Sequence, residues 1–169
     1  MTDAIELSTG DLRAVTAFAA GSAQDVLALF ETTHPGDRRP REAIDAARAF
    51  AGGGRRGKAL RDTAWAALRA AREAGTPAAE HAARSAMAAA GAAYLHPLAD
   101  AHQVKHILGA AAHAARAAEL TSGDAADHLA RACRRATPAV VDVLGRYPAA
   151  PPVGGRVGEL IRQLDGALR

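Results

Sequence analysis

Apolar residues recur every three or four positions along most of the chain, the spacing that gathers side chains on one face of an α-helix. From Asp11 to Thr33, Leu12, Val15, Phe18 and Ala19 set this rhythm and Val26, Leu27, Leu29 and Phe30 continue it. A first helix is expected there, with Gly21-Ser22 as the site of a kink. His34-Pro35-Gly36-Asp37 stops it, and Asp37 is placed to cap the next helix. That second helix, over 38–51, turns Ile44, Ala47 and Phe50 inward. Pro40 lies in its first turn, where a missing N–H costs nothing, and Arg41, Asp45 and Arg48 are spaced to pair along one side. Gly52 to Gly57 reads as a flexible connector. A third helix over 58–73 carries the stripe Leu60, Ala64, Ala67, Leu68 and Ala71, together with Trp65, the only indole.

Gly75 ends that helix, and Thr76-Pro77 supplies a cap and first-turn pair for a fourth reaching Tyr94 or Leu95. His96-Pro97 forces a break before the longest helix, expected over 98–120. The turn Thr121-Ser122-Gly123-Asp124 opens a helix through Arg135, and Thr137-Pro138 starts a short one ending by Tyr147-Pro148. After a Pro/Gly loop, a last helix presents Val157, Leu160, Ile161, Leu164 and Leu168 on one face and docks back on the body. The pattern predicts an all-α, compact bundle of seven or eight alanine-rich helices, one domain over 1–169, with its first residues disordered.

Composition sharpens this picture. Aromatic residues are 4% of the 169, and alanine, the best intrinsic helix former, dominates. The core must therefore be filled by small side chains, Leu, Val and Ile, which lets helices approach closely. A formal charge of +3 is too small for a strongly electrostatic nucleic-acid binder. Cys133 stands alone, which excludes an intramolecular disulfide and fits a reducing cytoplasm. The opening residues carry Asp3, Glu6 and Asp11 rather than a basic segment followed by an apolar one, so no secretory signal is read. No apolar run reaches spanning length. A cytoplasmic protein without a membrane partner is expected.

The sharpest chemical signal is three histidines on the long helix. His102, His106 and His113 fall within an arc of roughly 40°, on a face that a second helix can cover. His102 and His106, one turn apart, can share a metal ion, whereas His113 lies roughly 10 Å further along the axis. Gln103 stands where the metalloprotease H-E-x-x-H has its glutamate, and no metal or cofactor is expected. Gly52-Gly53-Gly54-Arg55-Arg56-Gly57-Lys58-Ala59 nearly spells a phosphate-binding loop, but Ala59 has no hydroxyl for magnesium and a helix precedes it where such a loop follows a strand. Arg38, Arg39 and Arg41 surround a helix start and can grip a carboxylate or phosphate. Cys133, among Arg131, Arg134 and Arg135, reads as a buried structural residue.

As a set, several segments resemble the Imm-5-like putative immunity proteins. They are Leu29-Phe30-Glu31 with Pro35 to Ile44 and Ala46 to Phe50, then Gly91 to His96, His106 to Ala111, and Arg146-Tyr147-Pro148. Gln103-Val104-Lys105-His106 resembles an actinobacterial branch in particular. The resemblance implies an all-helical protein that neutralises a toxin, with no catalytic residues to carry over. His113 departs from it, standing where relatives tend to carry an aromatic residue.

Two functions follow as expectations. The first is a binding protein that occludes a partner, a protein toxin of the immunity type. The second is a small-molecule pocket or enzyme at the His96-Pro97 break, built from Tyr94, His96, His102 and His106, with Arg38, Arg39 or Arg41 anchoring a small anionic ligand. The first needs an exposed patch, the second a concave pocket lined by those histidines. His96 and His106 are expected to face the interior beside the break, and His113, farthest from it, to be the most dispensable.

Overall fold

The computed structural model describes residues 3–169 and is helical throughout. Nine α-helices follow in order among these residues: α1 Thr9–Gln24, α2 Leu27–Glu31, α3 Arg39–Ala51, α4 Lys58–Arg72, α5 Pro77–Gly91, α6 Val104–Ser122, α7 Ala126–Arg135, α8 Pro138–Gly145 and α9 Gly155–Leu168. Short 3-10 turns, Ala92–Tyr94 and Ala101–Gln103, flank the break at His96-Pro97. The expectation of disorder at the start falls on Met1 and Thr2, which lie outside the described residues. From Asp3 onward the chain lies along the break, where Ile5 N–H donates to the Pro97 carbonyl at 3.0 Å.

The caps that start and stop these helices are local. Thr76 and Thr137 accept hydrogen bonds from the backbone of Ala79 and Val140, and Ser8 with Asp11 forms a reciprocal capping box on α1. Gly123, at φ +83°, ends α6 in the left-handed conformation that favours glycine. One helix more than expected is present, because the first expected helix divides at Asp25-Val26 rather than bending at Gly21. Gly21 has a tertiary role instead: a Cβ there would lie 2.7 Å from Nε of Arg135, whose guanidinium crosses that spot to reach Asp25 at 2.8 Å. Gly21 makes room for an arginine and does not kink the helix.

The centre of the bundle is the antiparallel pair α5 and α6. Ala82, Ala83, Ala86, Ala89 and Ala90 on α5 and Ala110, Ala111, Ala112 and Ala114 on α6 are all buried. Ser85 Oγ donates to the Ala110 carbonyl at 2.7 Å between them, a contact that only close helices permit. Larger residues complete the core, including Phe18, Leu27, Phe30, Ile44, Ile107, Leu108 and Leu144, each contributing about 1.5–3 kcal/mol of burial. α9 returns over this body. Leu160 and Leu164 are buried under it, and Arg156 grips Glu119 of α6 at 2.5 Å. Two arginines, Arg156 first and Arg116 second, pull the Glu119 carboxyl down to about 2. No helix among the described residues is long and apolar enough to cross a membrane.

Candidate functional site

Between α4, α5, α6 and α9 lies a cleft of about 670 Å³, closed at one side by the loop carrying Pro151 and Val153. Residues 102, 106, 109 and 113 repeat at the helical interval, so one face of the α6 segment lines it with His102, His106, Gly109 and His113. Trp65 and Leu68 of α4, Met87 of α5, and Val157 and Ile161 of α9 form apolar walls. Gly158 fixes the far wall: a Cβ there would lie 1.9 Å from the Val153 carbonyl oxygen, so only glycine lets the loop close on α9. Trp65 is 62% and Val153 55% exposed, which places two of the largest exposed apolar residues on its rim.

Electrostatically the cleft has two unlike ends. Near the start of α4 and α6 stand Arg61, His102 and Lys105, and the Arg61 guanidinium lies 5.6 Å from the centre of the Tyr94 ring. Arg56 covers the same ring at 5.5 Å, and Tyr94 OH donates to the Gly57 carbonyl at 2.8 Å. Two turns along α6, His113 meets His81 of α5, with Nδ1 atoms 3.0 Å apart and rings stacked at 5.2 Å. One Nδ1–H donates to the other, so the accepting ring is neutral and carries its proton on Nε2. Burial, reinforced by the charges of His81 and Arg84, pushes His113 down to about 3. His106 is lowered as well, chiefly by burial and then by Lys105. This end of the cleft is polar without being charged.

Of the residues singled out in the sequence, Tyr94, His102 and His106 line the cleft together. His96 does not join them. It is exposed and does not line the cleft, although its charge still helps lower His106; its N–H donates to Gln103 Oε1 at 2.9 Å and its carbonyl accepts from Tyr147 OH at 2.7 Å, so its backbone seals the corner. The expected interior placement of His96 is thus corrected, and His113, expected to be the most dispensable, lines the cleft together with His102 and His106. Arg38, Arg39 and Arg41 stand apart from the cleft. Arg39 is held by Asp37 and Glu73, each at 2.7 Å, Arg41 by Glu31 at 2.5 Å instead of Asp45, and Arg38 is an exposed neighbour of Glu42 at 3.9 Å. Carboxylates of this chain already occupy two of the three guanidinium groups.

Sequence reasoning missed Arg61, Lys105 and the partner of His113. Lys105 lies within the Gln103-Val104-Lys105-His106 tract, and Arg61 is one turn before Trp65, but nothing local marks either as lining a cavity. Among the described residues no three His, Cys, Asp or Glu side chains gather as metal ligands. Gly52–Gly57 joins two helices, and the carbonyls of Gly53 and Gly54 accept from Arg13 at 3.1 and 3.2 Å. Cys133 is half-buried and free.

The family model described as Imm-5 like putative immunity protein matches residues 6–139. The chain belongs to this family. Neither a curated protein nor a solved structure matches it. Within this Imm-5-like chain, the matched stretch contains α4, α5 and α6, hence Arg61, Trp65, Tyr94 and the cleft histidines, whereas the Pro151–Val153 loop and α9 lie beyond it.

Proposed function

We propose that this chain is an immunity-type binding protein that neutralises a toxin by occluding it, and that the rim of the cleft is the surface it uses. Family membership supports the partner class. The observation that carries the placement is the gathering of Trp65 and Val153, both more than half exposed, around a concave apolar floor, because an anchoring aromatic beside a pocket is where binding energy concentrates. Occlusion asks only for a stable scaffold and a complementary surface, and the α5–α6 core supplies the former. Growth rescue tests the proposal: each product of the neighbouring genes that arrests growth is co-expressed with this chain. Rescue is expected with the native sequence and is lost with Trp65→Asp at unchanged melting temperature. Failure to rescue from any neighbour refutes the function; full rescue by Trp65→Asp refutes the placement.

A second reading is favoured by the depth of the cleft and its histidines, which make it a receptor for a small molecule. Its volume lies within the range of small-ligand sites, about 300–1,000 Å³, and its few polar groups converge on largely apolar walls. Burial keeps His106 in its neutral form, so a ring nitrogen is free to take a proton from a bound ligand, as a general base weaker than an exposed histidine.

A further inference from the structure

Resting on this second reading, we infer that the cleft binds a small amphipathic anion, an acyl or aryl carboxylate whose head sits at Arg61 and Lys105 and whose apolar body runs toward Leu68 and Ile161. Four observations carry this. No carboxylate of the chain lines the cleft. Arg61 and Lys105, on two different helices, both line it, and neither has an ion-pair partner among the described residues, although most other arginines here do. Apart from His102, His106 and His113, the remaining walls are aliphatic, aromatic or glycine. The opposite end is kept uncharged by the His81–His113 pair.

The polarity of the cleft follows from helix register. α5 and α6 run antiparallel, with Ser85 against Ala110 and His81 against His113, so Gly91 and Tyr94 lie beside the start of α6. Arg61 belongs to that end, because its guanidinium covers Tyr94. From Lys105 to His113 the axis advances about 12 Å, and from Arg61 to Leu68 about 10 Å. The cleft is therefore a slot with two cations at one end and neutral walls beyond. The Arg61 guanidinium lies 5.6 Å from the centre of the Tyr94 ring and makes no hydrogen bond among the described residues, which leaves its N–H edge free to hold a carboxylate through paired hydrogen bonds. An amine or a polyol meets neither demand: the first is repelled by the cations and the second leaves its hydroxyls against aliphatic walls.

Trp65 provides the readout, since it is the only tryptophan and stands at the rim. The full-length protein is titrated with decanoate, decanol and decyltrimethylammonium, each below its micelle concentration, while indole emission is followed. Decanoate is expected to bind saturably and at least tenfold more tightly than decanol, with the cation weakest. Arg61→Gln/Lys105→Gln should lower decanoate to the level of decanol and leave decanol unchanged; with no ion pair lost, its melting temperature should match the native protein. Gly91→Leu fills the slot from a helical position where a Cβ meets nothing within 4 Å, and should abolish both. Equal affinity for decanoate and decanol overturns the inferred ligand class and leaves the small-molecule reading standing. Binding of neither, or binding that Gly91→Leu leaves intact, overturns both.

Discussion

Replacing His113 with phenylalanine should flatten the response of this protein to mild acid. In the folded chain His113 is pushed down to about 3, while the unfolded chain returns it to 6.5. As pH falls below 6.5 the unfolded state takes up a proton that the folded state refuses, and stability declines. The loss is about 1.4 kcal/mol per pH unit for one such group, so between pH 6.5 and 4.5 it amounts to roughly 2–3 kcal/mol. That is a large share of the stability of an ordinary domain. The sign follows first from burial and then from the charges of His81 and Arg84: a second proton on His113 would sit in an enclosed site facing Arg84 from α5, with Glu80 already engaged by that arginine at 3.0 Å.

The pH window isolates the effect. Asp11, Glu31, Asp37 and Glu119 are all lowered from ordinary values of 3.8 or 4.5, so their stabilising contributions are lost only as pH falls below that range. Glu73 and Asp100 are lowered in the same way, so between pH 6.5 and about 5 the histidines dominate and the carboxylates add to the loss only toward 4.5. His81, His106 and His128 are lowered in the same direction, so the native protein loses stability through several of them and the variant loses one contribution, the largest. Phenylalanine preserves the stacked shape and forfeits one hydrogen bond, about 0.5–1.5 kcal/mol at neutral pH. Urea unfolding followed by circular dichroism at a series of pH values measures both curves. The variant curve should start slightly lower and fall less steeply. Parallel curves between pH 6.5 and 4.5, or a His113 ring proton resonance that titrates near 6.5, would refute the reasoning.

Two further outcomes are expected. Gly158→Ala brings a Cβ within 1.9 Å of a backbone oxygen, so the Val153 loop must move; a loss of about 1–3 kcal/mol in stability and a weakened response of Trp65 to decanoate check this together. Magnesium-ATP should leave the melting temperature unchanged, because a specific ligand of the folded state raises it by mass action and the Gly52–Gly57 turn is committed to Arg13.

The helices were legible because their signals are local. Thr76-Pro77 and Thr137-Pro138 act within their own first turns, the glycine run at 52–57 ends one helix and starts the next, and the 3.6-residue rhythm locates the buried faces. What could not be read was made by distant residues. The role of Gly21 is set by Arg135, more than a hundred positions away, which passes over it to bond Asp25 at the end of α1. The late start of α6 is by contrast local: Asp100 accepts the His102 N–H at 2.8 Å and caps a 3-10 turn where the periodicity alone suggested regular helix. For the site, spacing placed His102, His106 and His113 on one face correctly, but distance along the helix from Pro97 was a poor guide to their roles. His113 gains its importance from His81, thirty-two residues earlier, and the arginines near Pro40 lose theirs to Asp37, Glu31 and Glu73.

The cleft joins two parts with different standing. Its charged and titratable residues, Arg61, Lys105, His102, His106 and His113, belong to the stretch that the family model matches, while Val153, Val157 and Ile161 lie beyond residue 139. The two functional readings make different demands on these parts. Occlusion of a protein partner draws on the apolar rim, Trp65 and Val153, and tolerates loss of the two cations, Arg61 and Lys105. A receptor for an amphipathic carboxylate depends on Arg61 and Lys105 and tolerates an altered rim, provided that the slot stays open. Trp65→Asp and Arg61→Gln/Lys105→Gln therefore act as opposed probes of one site: neither removes a core contact or an ion pair, so growth rescue and decanoate binding respond to the surface each variant changes rather than to the fold beneath it.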